Sequence, residues 1–178
     1  MTDPAQLFLQ GTLATFESHR RLAERAVAQV PDEKLGIPLD EHTNSISVTM
    51  KHVAGNLISR WTDFLTTDGE KPWRDRDSEF VDTFGTRTEL MAFWDKGWGV
   101  LEASLKILKP EDLVKCIKIR GEELSVPVAI QRSLGHTCYH VGQIVTVARI
   151  HAGHRWSTLT IPRGGSSSYN ESNWGGQK

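Results

Sequence analysis

Two histidines, His136 and His140, stand four residues apart in the stretch Ser133-Leu-Gly-His-Thr-Cys-Tyr-His-Val-Gly-Gln143. On a helix this spacing sets both imidazoles on one face, about 5–6 Å apart at Cβ, a separation that one metal ion can bridge. Gln143 follows on the same face. Two ligands leave an ion underligated, and His52, in a separate amphipathic stretch, is the candidate for the third. Asn56 lies one turn beyond His52. Three neutral imidazoles leave a coordination position open for water or substrate, as catalytic sites do and closed structural sites do not. No ligating cysteine and no carboxylate is expected beside the pair, which disfavours a structural zinc knot and the di-iron pattern of paired Glu with Glu-x-x-His. Glu is also missing after His136, so the zincin pattern His-Glu-x-x-His does not apply. Imidazoles suit zinc or nickel and do not choose between them.

These residues need helices to carry them. Thr2 or Asp3 can cap a first helix that opens at Pro4 and runs for about 27 residues until Pro31 stops it. His19, Arg20, Arg21, Glu24 and Arg25 form its polar face, read as solvated. Residues 31–44 contain Pro31, Gly36 and Pro38 and predict a loop. Asn44 or Ser45 caps the helix that carries His52, whose apolar side runs from Ile46 to Leu65, with Gly69 beyond its end. Residues 67–85 lack helical period; so long a connection could traverse a bundle and let two successive helices run the same way. Its Trp73 and Phe80 suggest that it is pinned down, and Arg74 and Arg76 are expected to pair with the neighbouring acids. Thr86 and Glu89 form a capping box for a third helix reaching Leu108. Its Trp94 and Trp98 mark a core or a dimer seam, and Gly97 and Gly99 permit close approach of a neighbour.

The alternation Leu113-Val-Lys-Cys-Ile-Lys-Ile119, the turn Arg120-Gly-Glu-Glu123 and the return Leu124-Ser-Val126 predict a short β-hairpin, with Cys116 packed in its first strand. Pro127 opens the fourth helix, which carries His136 and His140 to Gly153. His151 and His154, near that helix's end, suit its exposed carbonyls. The remainder is rich in Gly and Ser and reads as an irregular tail, held down by Trp156, Leu159, Ile161, Tyr169 and Trp174.

At 178 residues the chain is expected to be one domain spanning residues 1–178. Its net charge of −1, with acids and bases interleaved, excludes the electrostatic footprint of a nucleic-acid binder. There is no apolar run long enough to span a membrane, and the start Met-Thr-Asp-Pro lacks the layout of a signal peptide. Cys116 and Cys138 fit neither a paired-thiol motif nor a disulfide framework. A soluble cytoplasmic protein is expected.

The layout of His52 followed by His136-x-x-x-His140-Val-Gly-Gln143 resembles the DinB-like superfamily of four-helix metalloenzymes, which includes the YfiT-type proteins and the bacillithiol and mycothiol S-transferases. His52-Val-Ala-Gly-Asn-Leu, Asp68-Gly-Glu-Lys-Pro-Trp-Arg and Leu159-Thr-Ile-Pro-Arg-Gly164 look like one branch of it. The resemblance implies an all-α, up-down-down-up four-helix bundle, a divalent ion held by His52, His136 and His140, and a homodimer. It also implies transfer of a low-molecular-weight thiol to an electrophilic small molecule. Gln143 or Asn56 is the candidate to orient the thiol or a metal-bound water by hydrogen bonding. A metal-dependent amide or ester hydrolase is the alternative, disfavoured because no Asp or Glu stands beside the histidine face to act as base. In a third reading the metal only staples two helices of a binding or stress-response module.

Overall fold

The computed structural model describes residues 3–174, apart from the side chain of Trp174. Helix α1 spans Pro4–Val27, α2 Ile46–Trp61, α3 Arg87–Ile107, α4 Val126–Ala152 and α5 Ser166–Trp174; a hairpin of β1 (Cys116–Ile119) and β2 (Glu122–Ser125) precedes α4. Local chemistry explains the boundaries. The Asp3 carboxylate accepts from the Ala5 amide at 3.0 Å and Pro4 follows it, starting α1; Thr2 lies outside the described residues. Ser45, rather than Asn44, caps α2 by accepting from Val48 at 3.2 Å. The expected capping box of Thr86 and Glu89 opens α3. Between β1 and β2 the turn residues Arg120 and Gly121 have φ of 57° and 77°, the positive pair that a two-residue hairpin turn requires.

Cross-helix contacts give the course of the chain. On α2 and α3, Ala54 packs on Gly97 and the Trp61 carbonyl accepts from Ser104, so the two helices run parallel. Arg20 of α1 reaches Asp95 and Glu102 whereas Arg87 reaches the carbonyls of Val27 and Val30, so α1 opposes α3. Trp61 donates to Ser133 while His52 meets His136, so α4 opposes α2. The course is up-down-down-up, and the connection at 67–85 is the crossover that the parallel α2–α3 pair demands.

Helix α2 is central: twelve of its sixteen residues are buried. Trp61, Trp94 and Trp98 are fully buried with Phe16, which meets Trp61 and Trp98 edge-on at 6.1 and 6.3 Å. The tryptophans of α3 are therefore core. Among the described residues no helix is long and apolar enough to cross a membrane.

Several expectations need correction. Helix α1 ends at Val27, and α2 ends at Trp61 because Thr62 is extended and Asp63 takes a φ of 49°; Phe64 is then folded back to stack on Trp61 at 4.6 Å. The polar face of α1 is not simply solvated, since Arg20 ties α1 to α3. Cys116 lies on the exposed side of β1, with Ile117 and Ile119 taking the buried side. His151 bonds the Ile37 carbonyl at 2.9 Å, not the end of its own helix. The tail contains the short helix α5; Leu159 is buried and Trp156 packs on the core, whereas Ile161 and Tyr169 are exposed. The Trp174 side chain lies outside the described residues.

Gly97 and Gly99 differ in what they do. A Cβ at Gly97 would stand 2.7 Å from Ala54 Cα and 2.9 Å from its carbonyl oxygen, so the glycine sets the α2–α3 distance, while Gly99 faces open space. Gly97→Ala should destabilise the fold by about 1–3 kcal/mol through overpacking against backbone. Gly99→Ala should stabilise it by about 0.5–1 kcal/mol through helix propensity. Urea midpoints of the two variants check this, and equal midpoints would contradict it.

Candidate metal centre

Helices α2 and α4 cross so that His52, His136 and His140 converge. One ligating nitrogen from each lies within 4.8 Å of the others, a group that could hold a metal ion. The Nε2 atoms of His52 and His136 are 3.1 Å apart, and the His140 ring stands 4.9 Å from His52 and 4.5 Å from His136 between centroids. Tetrahedral bonds of about 2.0–2.1 Å place neighbouring nitrogens only a little further apart.

The outward nitrogens fix which face of each ring points inward. His52 Nδ1 lies 2.8 Å from the Glu79 carboxylate, which can only accept, so Nδ1 carries the proton and Nε2 keeps its lone pair. His140 Nδ1 lies 2.7 Å from the amide oxygen of Gln143, whose nitrogen donates to the Tyr139 hydroxyl at 3.1 Å. His136 Nδ1 is buried without a partner among the described residues. A carboxylate or amide oxygen behind a ligating imidazole orients it and raises its basicity, as metal centres require.

Glu79 is held firmly. Arg74 donates to it through Nε at 2.8 Å and Nη2 at 2.9 Å, a bidentate pair, and both side chains are buried. Burial would raise the Glu79 pKa, yet the bonds from His52 and Arg74 bring it below the usual carboxylate value. Glu79 lies in a 3-10 turn, Asp77–Phe80, in the crossover. Phe80 of the same turn stacks on the His52 ring at 4.7 Å, while Trp73 is exposed. Gly55, one turn after His52, makes room for Glu79: a Cβ there would lie 2.6 Å from the carboxylate oxygen. The expectation that no carboxylate stands beside the histidines is thus corrected. The available signals were a mid-helix glycine three residues after a ligand and the spacing of Arg74 and Glu79.

Asn56 is buried and lines, with His52 and His136, a cavity of about 160 Å³. Gln143 lies on the other side of the triad, beside a wider cleft that it lines with Tyr139 and Thr49. Gln143 thus touches the triad through His140, and Asn56 lines the cavity.

Burial favours the neutral form of His136 and His140, the form that ligates. Burial, then the neighbouring His140 and His52, pushes the His136 pKa from its ordinary 6.5 down to about 3. Burial likewise lowers that of His140, against the bond from Gln143. For His136 the folded pKa lies below the unfolded one, so its contribution to stability is complete above about pH 6.5 and is lost as pH falls toward 3. Glu79 acts in the same sense below its ordinary 4.5. The metal-free protein should therefore show a melting temperature that declines steadily from pH 7 to pH 4. In the variant His136→Phe the decline across pH 6.5–5 should be shallower, and an unchanged slope would contradict the assignment.

A family model described as a protein of unknown function (DUF1572) matches residues 3–165. No curated protein and no solved structure matches the chain.

Proposed function

The chain belongs to the DUF1572 family, and from that premise we propose a divalent-metal-dependent enzyme of the DinB-like kind that transfers a low-molecular-weight thiol to an electrophilic small molecule. The metal would be zinc or nickel, held by His52, His136 and His140. Bound there with a position open, such an ion lowers the pKa of a thiol sulfur so that thiolate is available at neutral pH.

One observation carries the choice of a thiol over water as nucleophile. Among the described residues, the carboxylate that touches the triad is Glu79, and its oxygens are committed to His52 and Arg74. No base remains to manage the proton traffic of amide or ester hydrolysis, whereas a thiol of lowered pKa needs none. Glu79 holds the proton on His52 Nδ1, and Gln143 does the same for His140. Asn56, facing the cavity, is placed to donate to a substrate acceptor or accept from its N–H. Phe80 over His52 limits water on that side.

Consumption of small thiols in the presence of an aryl halide electrophile tests the reading. Turnover should require added zinc or nickel, disappear on chelation and return on readdition. Full metal occupancy without turnover on any thiol or ester would leave an ion that only staples α2 to α4.

A further inference from the structure

Guanidinium groups crowd one wall of the cavity beside His52 and His136. Arg60 comes from the last turn of α2, Arg74 and Arg76 from the crossover, Arg120 from the hairpin turn and Arg132 from the second turn of α4. Five arginines from four separate elements are thus brought to one small space. Their charges are not balanced locally. Glu70 serves three of them at once, lying 3.0 Å from Arg60, 3.0 Å from Arg120 and 3.5 Å from Arg74. Glu79 is shared between Arg74 and His52. Arg132 has a single 3.5 Å contact with Glu122, and Arg76 lies over the Phe80 ring at 5.3 Å with no carboxylate partner among the described residues. The five guanidiniums share the carboxylates of Glu70, Glu79 and Glu122, so the cavity lining carries an excess of positive charge.

A second observation points the same way. The Arg74 side chain is 3 % exposed, and its Nη1 has no hydrogen-bond partner, the nearest carboxylate oxygen being that of Glu70 at 3.5 Å. A buried donor without an acceptor, on a side chain that lines the cavity, marks a place where a ligand oxygen would be stabilised.

We propose that this wall is a subsite for a compact oxyanion, a carboxylate or phosphate group, borne by the small molecule on which the three-histidine centre acts. The inference rests on the metal-centre reading for its second half only. Planar, forked donors from several directions suit such a group, and the opening of about 160 Å³ limits it to a small one.

Calorimetric titration of the full chain with succinate, inorganic phosphate and uncharged succinamide, each with and without zinc, tests this. Arg76 and Arg132 are the residues to change, because both are exposed and lie outside the Arg74–Glu79–His52 chain. At least one anion should bind saturably and succinamide should not, and the double variant Arg76→Gln, Arg132→Gln should bind it about tenfold more weakly with zinc content unchanged. Preference for succinate would identify a carboxylate ligand, and preference for phosphate a phosphate ester. Absence of anion binding in both zinc states, or equal affinity in the double variant, would overturn the subsite. Anion binding in a protein that takes up no zinc would uphold the subsite while removing the metal-centre reading, so the two fail separately.

Discussion

Replacing any one of His52, His136 or His140 by Ala is expected to weaken zinc binding by roughly 10³-fold, about 4 kcal/mol, while the helical circular dichroism stays close to wild type. The loss should be similar at the three positions because each supplies one inward nitrogen of the same cluster. Fold and metal separate for a physical reason. The core of the bundle is carried by Trp61, Trp94, Trp98, Phe16 and their neighbours, none of which touches the ion site through a polar bond other than Trp61 to Ser133. His140 is the cleanest of the three, being partly exposed and bonded only to Gln143. Competition with a zinc-responsive dye measures the affinities. A variant that binds zinc as tightly as wild type would remove that histidine from the centre.

The second large effect belongs to Glu79. Glu79→Ala removes the acceptor behind His52 and at the same time deprives Arg74 of its bidentate partner in a buried setting. Loss of an acceptor behind a ligating histidine costs about 10–100-fold in metal affinity. Breaking a buried charge pair from one side costs about 3–5 kcal/mol of fold stability, here lessened by the residual contact of Arg74 with Glu70. Glu79→Gln separates the two. Its amide oxygen can still accept from His52, so zinc affinity should fall less than in Glu79→Ala, while the lost negative charge leaves Arg74 only its contact with Glu70 and stability falls in both variants. Denaturant unfolding of the metal-free proteins beside zinc titration gives both numbers. Wild-type values for Glu79→Ala in both would show that the carboxylate supports neither the fold nor the metal.

The contrast between the histidines and Glu79 shows what was legible in the sequence. A pair of ligands four residues apart needs only one helix, and helical period is the strongest signal a sequence carries. The fold course could be read for a related reason: Thr86 with Glu89, Pro127 near the start of α4 and Pro31 after α1 punctuate the helices, and the long crossover forces α2 and α3 parallel. Glu79 and the arginines lay beyond that reach. Glu79, Arg74, Arg76 and Arg120 come from segments without a helical period, and what places them is tertiary: Gly55 leaving room on α2, Lys51 holding the carbonyls of Ser78 and Val81 at 2.8 Å, and Asp68 receiving the amides of Arg120 and Gly121. Such contacts join residues through the folded chain and leave no spacing behind. The same limit explains Cys116. Alternation shows that β1 has two faces, but which face is buried was decided by Ile117 and Ile119.

Metal content by elemental analysis, on untagged protein beside the three histidine-to-alanine variants, decides whether the triad holds an ion. About one zinc or nickel ion per chain is expected in the wild-type protein and none in His52→Ala, His136→Ala or His140→Ala. No bound ion after incubation with either metal, or an ion retained in all three variants, would contradict that expectation.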